Sequence, residues 1–140
     1  MRKLYALGLL LVLTSVSSFA QSIFDITLKE AMAGDSKAQN NLAAYYKEGY
    51  GVQQDCSKAV YWYRKSVQQN DPVGMYGLGQ CYATGCGVPQ DLSMAARYIL
   101  GAAQKGLKEA QQTIAYMYEH GIGVVQNSAS ANYWYNQANK

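Results

Sequence analysis

Gly49-Tyr50-Gly51-Val52 returns as Gly85-Cys86-Gly87-Val88 and again as Gly121-Ile122-Gly123-Val124, three copies of one turn at a fixed step of 36 residues. Each is followed at the same offset by Asp55, Asp91 or Asn127. A period of this length marks an array of small units, none of which buries its apolar face alone, so that neighbours must stack. Such an architecture offers a binding surface rather than a reaction centre.

Upstream of each turn, small and apolar residues fall at helical spacing: Ala38, Leu42, Ala43, Tyr46; then Gly74, Leu78, Gly79, Tyr82; then Ala110, Ile114, Ala115, Tyr118. Steps of four, one and three place them on one stripe of a helix, here helix A. Asp35 and Asp71 are suited to cap its start, and Asp71 precedes a proline at the first helical position. Leu107 stands at that place in the third copy and gives a weaker start. Gly49, Gly85 and Gly121 are suited to the left-handed conformation that closes a helix. Downstream, Asp55, Asp91 and Asn127 cap a second helix, B, with the face Ala59, Trp62, Tyr63, Ser66; Ala95, Tyr98, Ile99, Ala102; Ala131, Trp134, Tyr135, Ala138. The Trp62, Tyr98 and Trp134 row is expected to hold much of the core, since a buried aromatic contributes about 1.5–3 kcal/mol by area.

The first twenty residues stand apart. Arg2 and Lys3 precede the apolar run Leu4 to Val16, and Ser18-Phe19-Ala20 supplies small residues for a peptidase, which reads as a secretory signal cut after Ala20. The run is shorter than the ~20 residues that span a bilayer, and no cysteine stands at the cleavage site. No stable membrane insertion is therefore expected after cleavage. Without Arg2 and Lys3, ten basic residues face nine acidic ones. A formal charge near +1 gives no attraction to nucleic acid or anionic membrane. Residues 21–140 form one domain: a cap helix over 23–33, phased as another helix B with Ile26 in the place of Trp62, then repeats at about 34–69, 70–105 and 106–140. The expected fold is all-α, an α/α solenoid of three helix-turn-helix repeats behind a capping helix.

Leu78-Gly79 followed by Tyr82, a Gly-x-Gly-Val turn, a capping Asp and Ala95 together resemble the Sel-1-like repeat, a relative of the tetratricopeptide repeat with a longer turn. Tyr46-Lys47-Glu48-Gly49-Tyr50-Gly51-Val52-Gln53-Gln54-Asp55, continued by Lys58-Ala59-Val60 and Trp62-Tyr63, is similar to that family's signature. The resemblance implies a non-catalytic exported protein that binds other proteins as an adaptor or regulator in the bacterial envelope, in the periplasm or outside the cell. It also implies two alternatives. One is a periplasmic immunity protein that neutralises a secreted toxin such as a lipase, and the other, weaker, is a penicillin-binding or β-lactamase-like cysteine-rich protein. The partner in the main reading is another protein or peptide segment of the envelope.

If the array curves as tetratricopeptide repeats do, the helix A residues turned away from helix B line its concave side. These are Asn40, Ala44 and Lys47, then Tyr76, Gln80 and Ala83, then Gln112, Tyr116 and Glu119, with His120 at the rim. Tyr, Asn and Gln suit such a role as amphipathic anchors and adaptable hydrogen-bonding groups. Arg64, Lys65, Arg97 and Lys58 fall on the convex surface.

Cys56 and Cys86 occupy turns at the same edge of successive units, so a Cys56–Cys86 disulfide would staple two repeats, with Cys81 left as a buried thiol. Cys81–Cys86 and Cys56–Cys81 pairings stay open, since spacing alone fixes no connectivity. A single histidine and these cysteine spacings complete no metal or haem pattern, so no metal and no cofactor is expected. No Ser-x-x-Lys element occurs, and the recurring carboxylates Asp55 and Asp91 serve as caps. No catalytic residue is assigned.

Overall fold

The computed structural model describes residues 18–140 and consists there of seven helices and no strand. Helix α1 runs over 18–32. It is followed by α2 (Ser36–Glu48), α3 (Cys56–Gln68), α4 (Pro72–Thr84), α5 (Leu92–Gln104), α6 (Lys108–His120) and α7 (Ser128–Ala138). Helices α2, α4 and α6 are the A helices and α3, α5 and α7 the B helices. Each packs mainly on its neighbours in sequence, as a solenoid requires. Residues 1–17 of the expected signal lie outside the described residues.

The caps sit where the residue types place them. Asp35, Asp55 and Asp91 each accept the backbone N–H three residues on, and Asn127 does the same with its amide oxygen. Leu107 supplies no side-chain cap. Gly49, Gly85 and Gly121 close the A helices with φ of 76°, 75° and 69°, a region costly for other L-residues. The second glycine of each turn has another task. A Cβ on Gly87 would lie 2.3 Å from the Cys56 carbonyl oxygen, one on Gly123 2.0 Å from that of Leu92, and one on Gly51 2.5 Å from that of Ala20. Each turn is thus pressed against the first turn of the preceding B helix, and the residues it meets repeat at the same 36-residue step. In that register α1 is a B helix, and it starts earlier than position 23.

The core is made of small and branched residues more than of rings. Leu42, Leu78 and Ile114 are fully buried, with Ala59, Ala95 and Ala131 opposite them. The tryptophan row departs from expectation: Trp62, Tyr98 and Trp134 are only half-buried and pack on the edge of the clusters. The next position carries more of the burial, with Tyr63 and Ile99 enclosed. An indole is too large for the gap beside an alanine-lined helix pair, so it spreads over the rim instead. Burial pushes the Tyr63 hydroxyl up to about 12.

Candidate binding surface

The helix A rows assigned to the concave side divide between contacts within the stack and open surface. Asn40 is a correction: it is 5 % exposed, and its amide donates to the Asp71 carboxylate at 3.0 Å. Ser36 donates to the other oxygen of Asp71, and the backbone N–H groups of Val73 and Gly74 complete the set. Partial burial pushes the Asp71 carboxyl up, but these four bonds outweigh it and hold it below its ordinary value of 3.8. Asn40 is therefore a tie between repeats, because the next helix A starts against it.

Two further ties cross between successive A helices. Lys47 Nζ donates to Gln80 Oε1 at 3.4 Å, and Tyr76 OH lies 3.1 Å from Thr113 Oγ1. Lys47, Tyr76 and Gln80 remain half-buried, as do Ala44 and Ala83. The third repeat is the most open. Gln112, Glu119 and His120 are exposed, and Tyr116, 50 % exposed, stacks on His120 with ring centroids 4.0 Å apart. His120 Nδ1 is 3.0 Å from the Tyr116 carbonyl oxygen, which holds the pair on one helical turn. Glu119 accepts a 2.8 Å bond from Tyr135, and this bond pushes the Tyr135 hydroxyl up.

A half-exposed aromatic pair flanked by an amide and a carboxylate can stack on an apolar or aromatic side chain while hydrogen-bonding its backbone. Among the described residues no three His, Cys, Asp or Glu side chains converge as a metal-ligand group.

Some contributors were missed. Gln54, Gln90 and Gln126 each donate at 2.7–2.8 Å to a carbonyl at the end of the preceding A helix, of Lys47, Ala83 and Glu119. Their recurrence at the 36-residue step was the available signal. Ile23, Ala44, Tyr45, Glu48 and Tyr50 line an apolar hollow of about 390 Å³ at the amino-terminal end, which no single repeat foreshadows. On the B helix α3, Arg64 and Lys65 line a second hollow, of about 470 Å³, with Tyr61 and Gln68.

Cys56 and Cys86 are joined in a disulfide with Cα atoms 5.2 Å apart. Cys81 is a free thiol with no exposure, packed with Ala43, Val60, Tyr63 and Leu78. Burial pushes its thiol up, away from the reactive thiolate. No described helix is long and apolar enough to cross a membrane.

The sequence profile described as "Sel1 repeat" matches three successive segments, residues 36–71, 72–107 and 108–140. Among solved structures, the chain is similar to a Sel1 repeat protein from Oxalobacter formigenes, with 28% identity and a TM-score of 0.72 over 76% of this chain and 42% of that one. It is also similar to c5321, a protective antigen of uropathogenic Escherichia coli strains with an SLR fold, at 34% identity and a TM-score of 0.78 over 83% of this chain and 25% of that one. The chain thus spans less than half the length of either. Helicobacter pylori cysteine rich protein B shares the fold at 20% identity, with a TM-score of 0.68 and 87% of each chain covered. No curated protein matches the chain.

Proposed function

The chain belongs to the Sel1 repeat family, and on that premise we propose that it is an exported, non-catalytic adaptor that holds a segment of another envelope protein against its A helices. Repeats of this family commonly serve as protein-interaction modules. The observation that carries the reading is the open end of the A-helix face, where Tyr116 stands half-exposed on His120 between Gln112 and Glu119. An aromatic held in place before a partner arrives loses little entropy on binding. The Cys56–Cys86 disulfide fits an oxidising compartment, in keeping with the signal expected from the amino-terminal sequence.

The face of three A helices can supply a large share of the ~800 Å² that a standard interface takes from each side. The Tyr76 and Gln80 side chains fill its middle while tying the stack together. The test is capture of a partner from an envelope extract by the purified protein, followed by measurement of affinity for the captured partner. The double change Gln112→Ala and Tyr116→Ala, which leaves the buried core untouched, is expected to weaken binding at least tenfold with an unchanged circular dichroism spectrum. Equal affinity for the variant would refute the assignment of this face. Identification of the captured protein separates an envelope regulator from a secreted toxin.

A further inference from the structure

Helix α3 carries a pair of cations that the repeat does not ask for. Arg64 and Lys65 stand in register with Leu28 and Lys29 of α1, Leu100 and Gly101 of α5, and Asn136 and Gln137 of α7. No other B helix places two positive charges there, so stacking does not require them. Helix α3 contains no Asp or Glu. Among the described residues the ion pairs are Lys47–Glu48, Lys58–Asp55 and His120–Glu119, none of which involves Arg64 or Lys65. Both cations are exposed.

The two charges border a shaped surface. With Ser57, Tyr61, Gln68 and Gly87 they line the hollow of about 470 Å³, and no carboxylate enters its lining. Tyr61, 53 % exposed, meets Trp62 edge-on with centroids 5.1 Å apart, and Lys65 Nζ lies over the Tyr61 ring at 5.6 Å. The ring is thus held in place before any ligand arrives. Tyr61 and Lys65 also wall an adjoining hollow of about 430 Å³, whose lining includes Met32 and Trp62 and again no carboxylate. The same aromatic corner recurs at Tyr133 and Trp134, with centroids 5.0 Å apart, but Asn136 and Gln137 follow it, so α7 offers the rings without the charges.

We propose that this face of α3 is a second binding site, which takes an acidic segment of another protein. Adjacent carboxylates lie on Arg64 and Lys65, and an apolar side chain crosses the ridge of Tyr61 and Lys65 to rest against Met32 and Trp62. Carboxylates suit the place because an arginine fork beside a lysine supplies charge-assisted donors that no acidic side chain of the lining consumes. A chain segment suits it better than a small metabolite. The residues around the two charges are exposed and cover a ligand from one side only, whereas small-molecule sites bury most of their ligand. Two cations are too few for a nucleic acid or an anionic membrane, which longer rows of basic residues hold.

The probe is a capped, labelled octapeptide with two adjacent glutamates and, two residues on, a leucine, titrated into the purified protein at low ionic strength and followed by NMR. The expected result is saturable binding with amide shifts centred on Tyr61, Arg64 and Gln68 and none at Tyr133 and Trp134. Arg64→Gln/Lys65→Gln should weaken it about tenfold, and Met32→Ser about threefold. All three positions are exposed, so the circular dichroism spectrum should not change. Gln112→Ala/Tyr116→Ala should bind the peptide unchanged, which keeps this test independent of the A-helix face. Equal affinity for the same peptide with glutamine in place of glutamate overturns the proposal, as do equal shifts at Tyr133 and Trp134, since the rings alone then suffice. No saturation at millimolar peptide overturns it as well. So does tighter binding to phosphatidylglycerol vesicles or to a thymidine oligonucleotide that Arg64→Gln/Lys65→Gln abolishes, which would assign the charges to a lipid surface or to a nucleic acid.

Discussion

The junction between the first and second repeats and the junction between the second and third have one geometry and two chemistries. At the first, Cys56 and Cys86 are cross-linked, Asp71 gathers Ser36 and Asn40, and Tyr63 lies over Gly77, where a Cβ would come within 2.3 Å of its ring. At the second, Leu92 and Ile122 stand in place of the two cysteines, Leu107 replaces the aspartate, and Ile99 and Thr113 replace the Tyr63 and Gly77 pair. There Leu107, Ile114, Met117 and Ile122 share one apolar cluster. A covalent and hydrogen-bonded fastening at one joint does what apolar packing does at the next. Of the side chains named at the two joints, only the disulfide and Asp71 of the first are changed by reduction or by protonation in acid, so reductant and acid should act on that joint more than on the other.

The largest expected effect breaks the first joint alone. Replacing Cys56 and Cys86 by serine frees a loop of sequence separation 30 and should cost about 3–4 kcal/mol of stability, read from urea unfolding. Ile122→Ala, at the equivalent place in the second joint, should cost about 1–2 kcal/mol, because that side chain is only partly covered. Equal losses would show that the joints are held alike.

Next in size is Gly77→Ala. The added methyl meets the Tyr63 ring, and the overpacking should cost about 1–3 kcal/mol in spite of the better helix propensity of alanine. Thr113→Ala, its counterpart, should cost about 1 kcal/mol or less, since it removes one partly exposed hydrogen bond with Tyr76 and an exposed one to the Glu109 carbonyl, while alanine is the better helix former.

Asp71→Ala should follow at about 1–2 kcal/mol, through loss of the helix cap and of the bonds from Ser36 and Asn40. Its carboxyl is held below 3.8 in the folded protein, so its contribution is present above that value and disappears as pH falls through the lower, folded one. Thermal unfolding between pH 7 and pH 2.5 should therefore show a smaller acid-induced fall in Asp71→Asn than in the parent chain.

The smallest effect belongs to Leu107→Asp. It gives α6 the cap it lacks but withdraws an apolar contact from the third-repeat cluster, and the two changes of about 1 kcal/mol each should nearly cancel. A loss well above that would mean that Leu107 carries more of the second joint than its partial burial implies.

The repeat was legible because its punctuation is chemical. A left-handed glycine, a capping carboxylate and an alanine facing a leucine recur in register, and each has a local cause that one repeat contains. The pairing of Cys56 with Cys86 was within reach because the two turns share an edge. Asn40 was misplaced for a different reason. Helical periodicity names the stripe on which a residue lies, but whether that stripe meets solvent or the next repeat depends on how closely successive A helices approach. Asp71, thirty-one residues further on, decides this. The tryptophan row carries less of the core than expected because a place on the apolar stripe does not guarantee full burial, and the rings at Trp62 and Trp134 stay half-exposed beside Ala59 and Ala131. The hollow lined by Ile23, Ala44, Tyr45, Glu48 and Tyr50 escaped notice because it draws on two helices and a turn that no single repeat contains.

Hydrogen exchange on the protein with its disulfide intact and after reduction tests the contrast between the two joints most directly. Reduction should strip protection chiefly from α2 and α3, whose hold on the rest passes through the first joint, while α5 and α6 keep most of theirs. Equal loss of protection across α2 to α6 would contradict it.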